Sequence, residues 1–239
     1  APYINFKTDK PCGTKIVSVE DISCTVDSEK VLDNISFTIE KGDRVAIVGK
    51  NSRSKTALLE ILAGKQTPDT GEVTWGESIE YAYFPKDNSE YFSEPQPLMQ
   101  WLSQYDDEND DQRLRSYLGR MLFSGDDVEK SVSVLSGGEK ARALFSKMMI
   151  TEENTLLFDE PTDHLDLEAI SSLNTALEKY TGGLILSSHD FQLLNTVCNR
   201  VIEVSDHGMI SQAMTFDEYM QSERIQRERE KLYPVANKV

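Results

Sequence analysis

The chain has 239 residues, 38% of them hydrophobic, with 25 Lys and Arg against 41 Asp and Glu for a formal charge of −16. That length can bury one large α/β core or two modest domains, and so acidic a surface disfavours nucleic-acid binding, which sets Lys and Arg against phosphates. Three cysteines far apart, Cys12, Cys24 and Cys198, with no Cys-x-x-Cys pair, suit free thiols in a reducing compartment better than a disulfide framework or a zinc site.

The opening residues APYINFKTDK lack a basic segment followed by an apolar one, and no apolar run approaches the ~20 residues of a membrane helix. A soluble, cytoplasmic chain is expected, with no membrane contact and no direct nucleic-acid contact of its own. Residues 1–15 carry Pro, Gly and Lys without periodicity and read as a linker or an incoming extended arm. KIVSVEDISCTV, NISFTIE and RVAIV then read as strands joined by short turns. GKNSRSKT, Gly49 to Thr56, follows the third strand, where a phosphate-wrapping loop would begin. The pattern G-x-x-x-x-G-K-[ST] asks for glycine before the lysine, so that backbone N–H groups can curl round a phosphate with no side chain between. Ser54 stands there instead. TALLEILAG continues as an apolar helix ending at Gly64, and EVTW and IEYAYF are two more strands.

Residues 95–134 change character. PLMQWLSQY, DDQRLRSYLGRML and DDVEKSVSVL have helical apolar spacing with acidic starts, which predicts a small inserted helical subdomain over about 95–150. The DDENDD run reads as a solvated, helix-capping loop rather than a metal site. After it come SGGEKARALFSKMMI, a helix opened by a glycine pair; TLLFDE, a strand ending in two acids; the helix LEAISSLNTALEKY; the strand GLILSSHD; and the strand RVIEV. Strands alternating with helices predict a mainly parallel sheet whose ligands bind beyond the C-terminal strand ends. GKNSRSKT, Asp159, Glu160 and His189 all fall at such ends. The segment 221–239 belongs to a charged tail, EYMQSERIQREREKLY and beyond, whose mixed acids and bases predict an exposed terminal helix.

LSGGE (Leu135 to Glu139), LLFDEPTDHLD (Leu156 to Asp166) and SSHD (Ser187 to Asp190), in that order after the loop, resemble the ATPase domain of ABC proteins over residues 16–220. DEPTDHLD and the compact helical region resemble the ABC-F branch, twin-ATPase proteins without membrane domains that act on ribosomes. YLGRMLFSGDDVEKSVSVLSGGEKAR and FDEYM are most similar to the C-terminal ATPase domain of YbiT-like members. The resemblance implies an α/β P-loop NTPase fold of ABC type: a mainly parallel sheet core, an antiparallel β subdomain and a short inserted helical subdomain. It also implies ATP and Mg2+ as ligands, a second ABC ATPase domain as head-to-tail partner, and a ribosome reached through regions outside this chain.

The chemistry can be read from the residues themselves. Phosphoryl transfer needs positive charge and N–H donors for phosphate, a magnesium ion, and a group that orients water. Lys55 at a helix N-terminus supplies charge, Thr56 and Asp159 a hydroxyl and a carboxylate for the metal, Glu160 a general base, and His189 a hold on the γ-phosphate and the water network. Gly49, Asn51, Ser52 and Ser54 complete the loop. By the resemblance, Ser136, Gly137 and Gly138, with Asp166 at the same interface, face the nucleotide of the partner domain.

Three departures from the family pattern concern the pocket. Ser52 and Ser54 replace glycines, and a positive φ at either would cost about 1–3 kcal/mol. Val26 stands where the family stacks an aromatic ring on adenine, a contact worth ~1–3 kcal/mol. Lys86 replaces a glutamine that contacts the metal and the attacking water; a protonated lysine cannot ligate a cation, so it either meets the γ-phosphate or points to solvent. The departures predict slow or weak ATP turnover. They leave open a degenerate module that scaffolds an active partner, whereas the roughly eighty residues between GKNSRSKT and LSGGE are few for the ATPase subunit of a membrane transporter.

Overall fold

A computed structural model describes residues 1–235. Strands β1 (Lys15–Val26) and β2 (Glu29–Glu40) form a hairpin whose two turn residues, Asp27 and Ser28, have φ of 50° and 65°, the primed geometry that matches the twist of paired strands. β3 (Arg44–Val48) leads into helix α1 (Ser52–Leu62), which stops at Ala63 before Gly64 at φ 71°. β4 (Thr70–Trp75) pairs with β1 to complete a three-stranded antiparallel sheet in the order β2-β1-β4.

The second sheet has six strands. β5 (Tyr81–Phe84), β6 (Thr155–Asp159), β7 (Gly183–Ser187), β3 and β8 (Arg200–Ser205) run parallel in that order, and β9 (Gly208–Gln212) closes the edge antiparallel to β8. Every residue of β6 and β7 is buried, as parallel strands covered on both faces must be. One apolar core lies between the two sheets around α1, with Ile16, Ile35, Leu58 and Ile185. The other joins the six-stranded sheet to the helices.

Those helices begin with α2 (Leu98–Ser103), α3 (Asp111–Arg120) and α4 (Gly137–Thr151). Asp110 caps α3 by accepting from the Gln112 and Arg113 amides, the capping role expected of the acidic run. DDVEKSVSVL does not form the expected helix; it makes two short 3-10 turns, Gly125–Glu129 and Val132–Val134. Ser124 and Asp127 cap the first turn and Ser131 the second, because short polar side chains offer the backbone local bonds that compete with an α-helix.

The remaining helices are α5 (Leu167–Lys179), α6 (Phe191–Val197), α7 (Phe216–Gln221) and α8 (Glu223–Leu232). The charged tail is therefore two helices divided at Ser222, whose side chain caps the second. Contrary to an exposed terminal helix, α8 buries Ile225 and Leu232, and Arg229 pairs with the buried Glu203. Residues 236–239 of that tail lie outside the described residues. Among the described residues no helix is long and apolar enough to cross a membrane.

Residues 1–14 contain no helix or strand, yet Ile4 and Phe6 are buried. The Phe6 ring lies 5.9 Å from that of Phe158 and 6.4 Å from that of Phe145, so the arm fills the core beneath β6. Phe6→Ala is expected to cost about 3–5 kcal/mol, measured by urea unfolding; a change within error would mean that the arm packs only loosely.

Candidate functional site

The strand order sets the site. β3 and β6 flank β7 in the six-stranded sheet, so the loop after β3 and the turns after β6 and β7 open on one edge. Gly49 opens the loop against the backbone of β8: a Cβ there would meet the Val204 carbonyl oxygen at 2.6 Å, so only glycine fits. Asn51 caps α1, its Oδ1 accepting from the Arg53 amide at 3.0 Å.

Ser52 and Ser54 lie inside α1 and are absent from the positive-φ residues. The backbone strain expected of serine at these positions therefore does not arise, since any L-residue adopts helical φ. Ser54 Oγ is instead buried with no hydrogen-bond partner among the described residues.

Lys55 reaches from α1 to Glu160, Nζ to Oε1 at 3.7 Å, with the two side chains 6% and 2% exposed. Glu160 follows the last residue of β6 at φ 52°, a left-handed conformation that costs a non-glycine residue about 1–3 kcal/mol. It is pinned there because its amide donates to the Ser187 carbonyl at 2.8 Å and its Oε2 accepts from the His189 amide at 2.9 Å. The exposed His189 ring brings Nε2 to 3.3 Å from Oε1 of the same carboxylate.

Thr56 Oγ1 donates to Asp159 Oδ2 at 2.7 Å. Burial pushes the Asp159 carboxyl up to about 6, with Thr56, Lys86 and Lys55 pulling the other way and Glu160 adding to the rise. A cavity of about 260 Å³ beside this pair is lined by Val26, Ser52, Arg53, Thr56, Ala57, Glu60 and Lys86. Lys86 is exposed yet borders this cavity, and Val26 borders it with no aromatic ring among the lining residues.

Ser136, Gly137, Gly138 and Asp166 gather elsewhere. Ser136 caps α4 in a box with Glu139, and a Cβ on Gly137 or Gly138 would come within 3.1 Å of His164 Nδ1 or 3.0 Å of its carbonyl oxygen. The glycine pair thus admits the turn that follows β6, while Asp166 caps α5 through the Ala169 amide at 2.8 Å. Ser136, Gly137, His164 and Asp166 are exposed and form an outward face.

The comparisons with known proteins agree with this fold. The family model described as ABC transporter matches residues 32–163. This chain belongs to that family. Its relatives include the ABC transporter ATP-binding protein YkpA of Bacillus subtilis, 42% identical over 97% of this chain and 43% of its own length, and the ATP-binding protein YbiT of Escherichia coli O157:H7, 39% identical over 94% and 43%. ABC transporter F family member 5 of Arabidopsis thaliana is 32% identical over 91% of this chain and 32% of its own length. The chain is thus an ATP-binding domain of ABC-F-like type that spans less than half the length of the curated relatives it matches. In fold it is similar to a bacterial Atm1-family ABC exporter with ATP bound, TM-score 0.75, 15% identical over 94% of this chain and 44% of that one. It is likewise similar to the dimeric post-hydrolysis ATP-binding cassette MJ0796 bound to ADP and Pi, TM-score 0.70, 17% identical over 83% and 99%.

ATP and Mg2+ fit the groups present. Ser54 Oγ and Glu160 Oε1 are buried without hydrogen-bond partners among the described residues, which suits an added phosphate and water. Among the described residues no three His, Cys, Asp or Glu side chains gather as a metal site; a cation at Thr56 and Asp159 would complete its shell with phosphate and water oxygens, as Mg2+ commonly does.

Two features escaped the sequence reading. Arg53 ties the loop to the β1–β2 turn through the Val26 carbonyl at 3.0 Å and the carboxylates of Asp27 and Glu29. Glu203, a lone acid in the buried strand RVIEV, gathers α7 and α8; a charge in a buried strand signals a partner, but not which one.

The native Asp159 carboxyl titrates near 6 and an unfolded one near ~3.9, so between those values the native state binds the extra proton. Stability in metal-free buffer is expected to fall by about 3 kcal/mol as pH rises from about 4 through 6. Asp159→Asn is expected to flatten that slope in urea unfolding at a series of pH values; an unchanged slope would place the titration elsewhere.

Proposed function

We propose that this domain binds ATP with Mg2+ and hydrolyses it slowly, as one half of a head-to-tail pair of ATPase domains in a longer ribosome-coupled protein of the cytoplasm. The observation that carries the reading is Glu160, buried between Lys55 and His189 with one oxygen that has no hydrogen-bond partner among the described residues. Lys55 holds phosphate charge, Thr56 and Asp159 hold the cation, Glu160 takes the proton of water, and His189 orders the groups round it. When bound, the cation supplies charge neutralisation at the phosphate oxygens. Ser136, Gly137, Gly138 and Asp166, on their outward face, serve the nucleotide of the partner domain. The length of the relatives, more than twice this chain, supports a second domain, and their ABC-F membership supports the ribosome.

A second reading is a nucleotide-poor module that scaffolds an active partner. Val26 and Lys86 at the cavity favour it, because the first removes adenine stacking worth ~1–3 kcal/mol and the second is a donor that repels a cation.

Calorimetric titration of the domain with ATP, with and without Mg2+, separates the two. Saturable magnesium-dependent binding supports the first reading, and Glu160→Gln is then expected to lower turnover by about 10²–10⁴-fold while keeping affinity. Absence of binding up to millimolar ATP supports the second. Lys86→Gln is expected to steepen the magnesium dependence. Cosedimentation with ribosomes, using the longer protein, tests the coupling.

A further inference from the structure

Tyr233, the residue after α8, touches the phosphate loop, and nothing in the site requires that contact. Glu203 in β8 is 1% exposed, yet both oxygens are filled. Oε1 accepts from Tyr219 Oη at 2.7 Å and Arg229 Nε at 2.7 Å; Oε2 accepts from Arg229 Nη2 at 3.1 Å and Tyr233 Oη at 2.6 Å. Three of these contacts come from α8 and the residue after it, and Ser205 Oγ, also on β8, donates to the Leu232 carbonyl at 2.9 Å. The end of the helix is thereby tied to the strand that runs beside β3.

Tyr233 then continues into the loop. Its hydroxyl, which donates to Glu203, accepts from the Lys50 amide at 3.0 Å, and the Lys50 ammonium lies 4.5 Å over its ring. A hydroxyl that donates to a carboxylate is a stronger acceptor. Burial first, and then Glu203, raises the Tyr233 phenol, which keeps it protonated and able to donate. Gly49, the residue before, is confined on one side by the Val204 carbonyl, and a Cβ there would come 3.7 Å from Tyr233 Oη. The first two residues of the loop, Gly49 and Lys50, are therefore gripped between β8 and Tyr233, six and five residues before Lys55.

We propose that Tyr233, anchored on the buried Glu203, is a positioning residue of the nucleotide site: it holds the Lys50 amide and so presets the loop that presents Lys55 and Thr56. A loop fixed before ligand arrives loses less freedom on binding. The consequence for ATP rests on the function proposed above; the clamp on the loop does not.

Tyr219→Phe and Tyr233→Phe each remove one hydroxyl from Glu203, but only Tyr233 touches the loop, so the pair isolates the contact. Without nucleotide, Tyr233→Phe is expected to speed hydrogen exchange at the Lys50 amide by about five-fold, the worth of one hydrogen bond, and Tyr219→Phe to leave it unchanged while the two melting temperatures fall alike. With ATP, Tyr233→Phe is expected to raise Kd by a similar factor. Equal exchange in the two variants, or no change in Tyr233→Phe, would overturn the clamp; altered exchange with an unaltered Kd in a chain that binds ATP would overturn the positioning role. If the unsubstituted chain binds no ATP while the exchange difference persists, the proposed function fails and the clamp stands.

Discussion

The ion pair between Lys55 and Glu160 crosses from the phosphate loop to the end of β6 in a place almost closed to water. Two charges so buried lose several kcal/mol each in desolvation, and their attraction offsets this only when further bonds complete both groups. Here Glu160 Oε2 is satisfied by the His189 amide while Oε1 has no hydrogen-bond partner among the described residues. A local arrangement this incomplete persists because the rest of the fold imposes it. The order β6-β7-β3 fixes the two strand ends, the Ser187 carbonyl pins the Glu160 amide, and α1 carries Lys55 inward on its first turn. Incompletely paired buried charge at a strand end marks a site shaped for something else to complete it.

Adjacent carboxylates illustrate how burial divides labour. Asp159 ends β6 with extended backbone, accepts one hydroxyl from Thr56 and is pushed towards neutrality by burial. Glu160, one residue on, turns into the left-handed region, and its side chain is directed to Lys55 and His189. The change of backbone conformation between them sends neighbouring acids to different partners, one suited to a cation beside Thr56 and the other to a proton beside His189.

The parallel sheet and the site at its C-terminal edge were legible because both rest on short-range signals: apolar runs such as TLLF and LILS, punctuated by polar residues at their ends. What sequence misjudged depended on longer-range or weaker terms. DDVEKSVSVL has helical spacing, but the capping bonds of Ser124 and Ser131 hold it in short turns. Helix α6 follows SSHD with Asp190 as its cap and is too short for periodicity to reveal. The tail looked solvated because its charges alternate; only the fold brings Glu203 beneath Arg229 and Tyr233. Serine at positions 52 and 54 looked strained because a textual pattern equates glycine with positive φ, whereas here α1 begins early enough to hold both in helical geometry.

That early start relocates the effect of the substitutions. With no backbone strain at Ser52 or Ser54, the loop keeps its shape, and the departures act through the groups they present. Ser54 presents a buried hydroxyl with no hydrogen-bond partner among the described residues, which loses about 1–3 kcal/mol until something bonds to it. Val26 withholds a stacking surface, and Lys86 adds positive charge to a cavity already bordered by Arg53. On the function proposed above, these departures would keep or add groups for phosphate while removing one for the base. On that reading the pocket would discriminate less by nucleobase than by phosphate charge, because its lining offers hydrogen-bonding and charged groups but no aromatic ring.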